Sequence, residues 1–392
     1  MKVLVTSCTN NSSLVAMRAL HRDGLEIVGV DERRLPFGLH SNCAAPYEII
    51  SSMDSPGFVD RLVRVINKHR PDVLLPFGAA LQASQAKEVL CRSTNLLIPD
   101  FNAFVALNDK RMIVEQCKQN GILSPELLDL EDARNKLQRG LIEAVVVKPR
   151  LNLGGGEGVT IITNSDELDQ AVTAVEKRFG EALVMEFIPG PDSDNIALQV
   201  VFDRSSRPIG YFSMRKTRLY PSRIGIAAAA VSIHRSDLLA LIKPLFARLQ
   251  WQGPADIEFK IDSRTGDIWL IEVNGRFSGA VGFAISCGVN LPLLACKASL
   301  GENLHEATAP EFRAGVKYWN PVMYSRAIMV AAFMGKSRAG LPSQIVHELR
   351  GERVGNPYRI SDPAPLIGKG LYQIWDWIRA THTRDTRHRI NK

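Results

Sequence analysis

The sequence predicts an α/β domain built on a parallel sheet, followed by an α+β region of antiparallel strands. Three observations carry this expectation. Short apolar runs alternate with helix-periodic segments over the first hundred residues, the pattern of a parallel sheet covered by helices. Beyond that point strand-like runs come in pairs joined by short turns. At 392 residues the chain is long enough to bury a large core in two or three domains.

Taken in order, Val3-Leu4-Val5 is a short apolar strand. Residues 12–22 have helical periodicity, with Ser12 or Ser13 as the N-cap. Residues 26–30 form a second strand that ends at Asp31. Residues 56–68 read as a helix, 73–75 as a strand and 81–90 as a helix. The turn from Thr6 to Ser12 contains no glycine. A dinucleotide fingerprint needs glycines there for the tight turn and the close approach of the pyrophosphate, so that class is excluded. Asp31 is then a loop or substrate-side residue.

Residues 107–120 read as a helix stopped by Gly121. Val145–Val147 is a buried strand, with a glycine-rich segment after it and a return strand at 159–162. A helix opens at Asn164–Glu167 and runs to about Phe179. Residues 183–187 form a strand that meets a Pro-Gly turn. Residues 196–202 and 208–214 pair antiparallel, 238–250 is a helix, and 255–261 with 268–273 makes a hairpin.

Composition is that of a globular chain: 45% apolar and 23% charged. The most apolar run, Ala327–Met334, is too short to cross a bilayer, so no membrane insertion is expected. The N-terminus enters a strand directly and lacks the features of a signal peptide, which makes the cytoplasm the expected location. Cys8, Cys43, Cys91, Cys117, Cys287 and Cys296 have neither CxxC nor zinc-type spacing and read as reduced, buried small hydrophobes. The net charge of +7 is carried in part by Arg379, Arg384, Arg387, Arg389 and Lys392, read as a solvated tail rather than a nucleic-acid contact.

Three segments carry chemistry. In the first, Lys148 closes a buried strand ahead of a glycine-dense loop that includes Gly154, Gly155 and Gly156. Glycines let backbone N–H groups approach phosphate oxygens, and a lysine adds a point charge to them. The lysine precedes the glycines, so this is not a P-loop. The second is the hairpin that holds Glu258 on one strand and Glu272 with Asn274 on the other. Period two puts these oxygen donors on one face, where they suit a hard cation such as Mg²⁺, and Arg276 follows on the same face. The apolar flanks Ile257, Phe259, Leu270, Ile271 and Val273 argue against a wet sheet edge. The third is Val184 to Gly190, followed by Asp192 and Asp194, a strand-to-turn segment able to offer backbone groups to an adenine edge.

In this order the three segments resemble the ATP-grasp superfamily, with Lys148 before the glycines, Glu186–Gly190 as the adenine hinge and Glu272-Val273-Asn274-Gly275-Arg276 as the metal motif. Asn108-Asp109-Lys110 is similar to the family's first ATP lysine. The resemblance runs from residue 1 to about 305. It implies a pre-ATP-grasp domain at 1–100, a small subdomain with linker at 101–185, a large subdomain at 186–305 and a C-terminal extension at 306–392. Two α+β subdomains would then clamp ATP. Lys110 and Lys148 would contact the α/β phosphates, and Gly154–Gly156 would roof them. Glu186, Phe187 and Ile188 would hold adenine, with Asp194 on the ribose and Asp192 as the alternative. Glu258, Glu272 and Asn274 would bind two Mg²⁺ ions, for which Mn²⁺ can substitute, with Asp256 as the alternative to Glu258. Arg276 would steady an acyl phosphate or tetrahedral intermediate. The family often has proline where Gly275 stands, a change expected to loosen the backbone. Arg215 and Lys216, in a basic segment after a strand, are candidates for the γ-phosphate or a substrate carboxylate; the plain alternative is a solvated loop.

The implied activity is an ATP-dependent carboxylate–amine ligase, acting on a small carboxylate and an amine. The rivals are a carboxylase-type enzyme using bicarbonate and a non-catalytic nucleotide-binding regulator. Trp319, Tyr324, Trp375 and Trp377 read as packing a small C-terminal subdomain; a site cover or a subunit contact in a homodimer is the alternative.

Overall fold

Val3, Leu4 and Val5 are fully buried at the middle of a parallel sheet. The computed structural model describes residues 1–32, 41–44, 46–151, 156–334, 345–346, 348 and 350–354. Gly154, Gly155, Trp375, Trp377 and the basic tail lie outside the described residues. The chain divides into two units, Met1–Leu96 and Leu97–Asn356.

In the first unit the elements are β1 (Lys2–Thr6), α1 (Asn11–Arg22), β2 (Glu26–Asp31), β3 (Tyr47–Ile49), α2 (Phe58–His69), β4 (Val73–Leu75), α3 (Ala80–Gln85), α4 (Lys87–Leu90) and β5 (Asn95–Leu96). The five strands are parallel in the order β3-β2-β1-β4-β5. Helix α1 begins one residue earlier than expected. Its N-cap is Asn10, and the Ser13 hydroxyl instead donates to the carbonyls of Ser7 and Asn10. The helix expected over 81–90 is broken at Ala86.

The second unit runs α5 (Phe101–Asn108), α6 (Lys110–Gln119), α7 (Leu130–Gln138), β6 (Val145–Pro149), β7 (Thr160–Ile162), α8 (Leu168–Phe179), β8 (Ala182–Glu186), β9 (Asn195–Phe202), β10 (Pro208–Tyr220), β11 (Ile226–Ser232), α9 (Ser236–Arg248), β12 (Gly253–Ile261), β13 (Ile268–Asn274), α10 (Val281–Cys287), α11 (Leu291–Ser299), β14 (Lys317–Trp319), α12 (Pro321–Met334) and β15 (Arg353–Val354). Strands β7-β6-β8 form a small antiparallel sheet, and β13-β12-β9-β10-β11-β14-β15 a large one. Val145, Val147, Ile162, Leu168, Val175 and Val184 bury the small sheet against α8. Each such side chain contributes about 1.5–3 kcal/mol by leaving water. Phe202, Phe246 and Trp251 form the aromatic centre under the large sheet, with Phe202 stacked on Phe246 at 4.7 Å.

Three expectations change here. Asp109 is extended and splits the helix expected over 107–120; its carboxylate accepts the Arg111 and Met112 N–H groups, the usual N-cap chemistry. The basic segment after Met214 is not a loop, because β10 continues to Tyr220 paired with β11. Trp319 does not sit in a subdomain of its own, because β14 pairs with β11 and extends the large sheet. Trp319 and Tyr324 meet edge-on there at 6.1 Å. Among the described residues no single helix is long and apolar enough to cross a membrane. Cys91 is exposed and the other five cysteines are buried.

Candidate nucleotide and metal site

Strand register builds the site. Glu258 on β12 stands directly opposite Glu272 on β13, and Asp256 stands opposite Asn274. The four side chains therefore share one face of the large sheet. Asn274 donates from Nδ2 to Glu272 Oε1 at 3.3 Å, and Arg276 Nη2 donates to Asn274 Oδ1 at 3.1 Å. Lys216 of β10 places its ammonium 2.5 Å from Glu258 Oε2. The side chains of this row are mostly buried, so each charge needs a partner.

The small sheet supplies the other cations. Lys148, at the end of β6, is 5% exposed, and so is Lys110 at the start of α6. The break at Asp109 sends Lys110 inward, where Nζ donates to the Leu151 carbonyl at 3.1 Å. Burial lowers the Lys148 ammonium to about 8 against the pull of Glu272, and it lowers Lys110 as well. Burial alone would raise Glu272; Lys110, Lys148 and Lys216 outweigh it and hold that carboxyl below the usual range. Glu258 goes the other way: burial and the neighbouring Glu272 outweigh its lysine. Asp256 is pushed up to about 7 by burial and by Glu258. One end of the face thus carries an ionised carboxylate among three lysines.

The hinge segment lies at the other end. The Glu186 N–H donates to the Glu126 carbonyl at 2.9 Å. Lys260 of β12 donates from Nζ to the carbonyls of Gly190 and Pro191 at 3.0 and 2.7 Å. The Asp192 carboxylate accepts from Leu219 N, Ser222 Oγ and Arg223 N, which anchors the end of β10. Both of its carboxylate oxygens are thereby engaged within the chain. Asp194 lies against Gly190, where a Cβ would come within 2.5 Å of Asp194 Oδ2.

A cavity of about 190 Å³ connects the two ends. Lys148, Lys216, Glu258 and Glu272 line it on one side, and Glu186, Phe187, Ile188, Gly190 and Lys260 on the other. Val146, Ile161, Leu219, Ile224 and Ile271 supply apolar walls of the kind a flat ring requires. Gly156 also lines the cavity. Its φ is +74°, and a Cβ would meet the Ile224 carbonyl oxygen at 2.2 Å, so only glycine fits there.

The structure therefore brings together Lys148, Gly156, Glu186, Phe187, Ile188, Lys216, Glu258 and Glu272, with Lys110, Asn274 and Arg276 beside them. It does not bring in Arg215, which is exposed; strand alternation puts it on the face opposite Lys216. Lys260 escaped the sequence reading, although it continues the period-two row from Asp256 and Glu258. The donor set suits Mg²⁺ in kind, with two carboxylates and an amide. Among the described residues no group of three or more His, Cys, Asp and Glu could hold a metal by itself. A cation here would draw its remaining oxygens from phosphate and water.

A family model described as "ATP-grasp in the biosynthetic pathway with Ter operon" matches residues 178–321. Solved structures of similar fold include the biotin carboxylase domain of Hydrogenobacter thermophilus 2-oxoglutarate carboxylase, crystallised with MgADP, ADP and bicarbonate (TM-score 0.64, 19% identity, 81% of this chain and 73% of that one). Biotin carboxylase from Campylobacter jejuni is similar as well (TM-score 0.63, 17% identity, 79% and 73%). So is N5-carboxyaminoimidazole synthetase from Staphylococcus aureus with ADP (TM-score 0.61, 15% identity, 78% and 78%).

Proposed function

We propose that this chain, which has the ATP-grasp fold behind an N-terminal parallel-sheet domain, is an ATP-dependent ligase that joins a small carboxylate to an amine. One observation carries the reading: Glu258 and Glu272 face each other inside a cavity that has lysines at one end and a backbone hinge at the other. The charges and lining of that cavity suit a nucleoside triphosphate with its base at the hinge.

In this reading Glu186, Phe187 and Ile188 hold the base and Asp194 the ribose. Lys110, Lys148 and the glycines around Gly156 hold the phosphates. Mg²⁺ bound by Glu258, Glu272 and Asn274 would offset triphosphate charge. Lys216 and Arg276 orient the reacting carboxylate, whose oxygen attacks the γ-phosphorus as the bond to ADP breaks. The amine nitrogen then attacks the acyl carbon, phosphate leaves with the bonding pair, and the nitrogen loses a proton. Arg276 is placed to steady the oxyanion of that step.

A second reading, bicarbonate as the carboxylate, is favoured by the likeness to the biotin carboxylases, one of them crystallised with bicarbonate. Phosphate release in the presence of pooled small carboxylates, amino acids and amines separates the two. Release that requires both a carboxylate and an amine supports the ligase. Release with bicarbonate alone selects the carboxylase, and tight ATP binding without turnover would leave a regulator. Glu272→Ala should abolish release with the fold intact; near-normal turnover would remove the metal assignment.

A further inference from the structure

Arg223 lines the cavity at its hinge end, with its guanidinium carbon 6.0 Å from the centre of the Phe187 ring. Its charge acts on Lys260, the residue that holds the hinge carbonyls. It therefore stands at the opposite end from Lys148 and Lys216, whose charges meet Glu272 and Glu258. The residue is exposed, and among the described residues no carboxylate pairs with its guanidinium.

The backbone beneath it is strained. Arg223 has φ +71°, in the left-handed region that is costly for a bulky residue and easier for Gly or Asn. Two residues on, a Cβ at Gly225 would lie 2.0 Å from the Tyr220 carbonyl carbon, so this turn uses glycine where space demands it. At 223 it keeps a long cationic side chain that buries little. The turn is also pinned: the Asp192 carboxylate accepts the N–H groups of Leu219 and Arg223 at 2.8 and 2.9 Å and the Ser222 hydroxyl at 3.1 Å. Asp192 lies two residues past Gly190, so the anchor ties Arg223 to the hinge. Strain held in place beside a binding cavity points to work done by the side chain.

Chemistry selects the group it meets. A guanidinium is planar and weakly hydrated, and it stacks on flat π-systems. Val146, Ile161, Leu219 and Ile271 offer a base apolar contact but no charge. We propose that Arg223 is a further nucleotide-binding residue, whose guanidinium stacks on the base that the hinge holds. The proposal rests on the nucleotide reading above.

Titration calorimetry on the full chain tests it, with MgADP and with magnesium tripolyphosphate, which has no base. Arg223→Asn removes the guanidinium and suits the left-handed backbone. It should weaken MgADP binding about fivefold, the scale of a cation–π contact, and leave tripolyphosphate affinity within about twofold. Lys148→Met should weaken the binding of both ligands. The thermal midpoint of unliganded Arg223→Asn should equal or exceed that of the parent chain, because the strain leaves with the side chain. Unchanged MgADP affinity overturns the proposal. So does an equal loss for both ligands, which would put Arg223 on the phosphates, and so does a lowered midpoint, which would make it a support of the turn. A chain that binds neither ligand removes the nucleotide reading itself.

Discussion

Lys216 and Glu258 form their 2.5 Å pair from strands that are not neighbours, since β9 runs between β10 and β12. Opposite Glu258, β9 presents Ala197, a side chain small enough for the pair to close over it. Both partners are largely buried, and Glu272 stands on the far side of Glu258. Removing the lysine alone leaves two carboxylates facing each other without their shared cation. Lys216→Met should therefore destabilise the chain by about 3 kcal/mol, the scale of a broken buried pair. Adding Glu258→Gln should recover part of that loss, because the stranded charge goes with it. Denaturant unfolding of the two variants checks this; additive losses would mean that the pair is not coupled.

Lys148 sets a pH dependence. Burial lowers its ammonium from 10.5 to about 8. Below pH 8 the lysine is charged in both the folded and the unfolded chain. Between about 8 and 10.5 the unfolded chain keeps a proton that the folded chain has released, so this group's contribution to stability rises with pH across that window. Affinity for ADP should move in the opposite direction, falling above pH 8 as the cation is lost. In Lys148→Met both trends should flatten, and ADP should bind about tenfold more weakly at pH 7. Thermal melts and ADP titrations at pH 7, 8, 9 and 10 measure them together. Unchanged nucleotide affinity in the variant would deny Lys148 a phosphate contact.

Lys260 ties the hinge to the strand that carries the carboxylates. Its two hydrogen bonds fix the carbonyls of Gly190 and Pro191, and the Ser263 N–H adds a third to Pro189. Lys260→Met should let this turn drift while leaving Glu258 and Glu272 in place. The expected result is a KM for ATP raised about tenfold with a much smaller change in kcat, the mark of lost ground-state binding. Lys260→Arg should restore part of it, whereas an equal fall in kcat would assign Lys260 to the chemistry instead.

The parts of this site that follow strand periodicity were legible in the sequence. Glu258, Glu272 and Asn274 fall on one face by alternation and cross-strand pairing, whereas the register shift that leaves Ile271 unpaired and sets Leu270 opposite Phe259 was not legible. Lys110 was legible as a motif but not as a buried group. Its burial depends on the break at Asp109, and the helical pattern of residues 107–120 runs through that point without interruption. The choice between Arg215 and Lys216 needed the continuation of β10, which the density of basic residues concealed. Asp192 and Asp194 could not be told apart, because the partners of Asp192 lie 27 to 31 residues away.

Gly275 offers the sharpest steric test. The expectation from sequence was a looser backbone between Asn274 and Arg276. Instead the space a side chain would take is already filled: a Cβ at Gly275 would lie 2.5 Å from Phe104 Cε2 and 3.1 Å from Trp251 Cη2. Those rings stack at 6.3 Å, and Trp251 is fully buried against Phe246. A methyl group there must push the rings apart or shift the strand that carries Asn274. Gly275→Ala should cost about 1–3 kcal/mol of stability, the range for overpacking, and should lower turnover through the displaced Asn274 and Arg276. Gly279→Ala is the control for stability, since nothing lies within 4 Å of its Cβ position. Adding Phe104→Leu to Gly275→Ala should recover stability if the ring is the obstacle. No recovery would place the strain in the backbone between the two site residues.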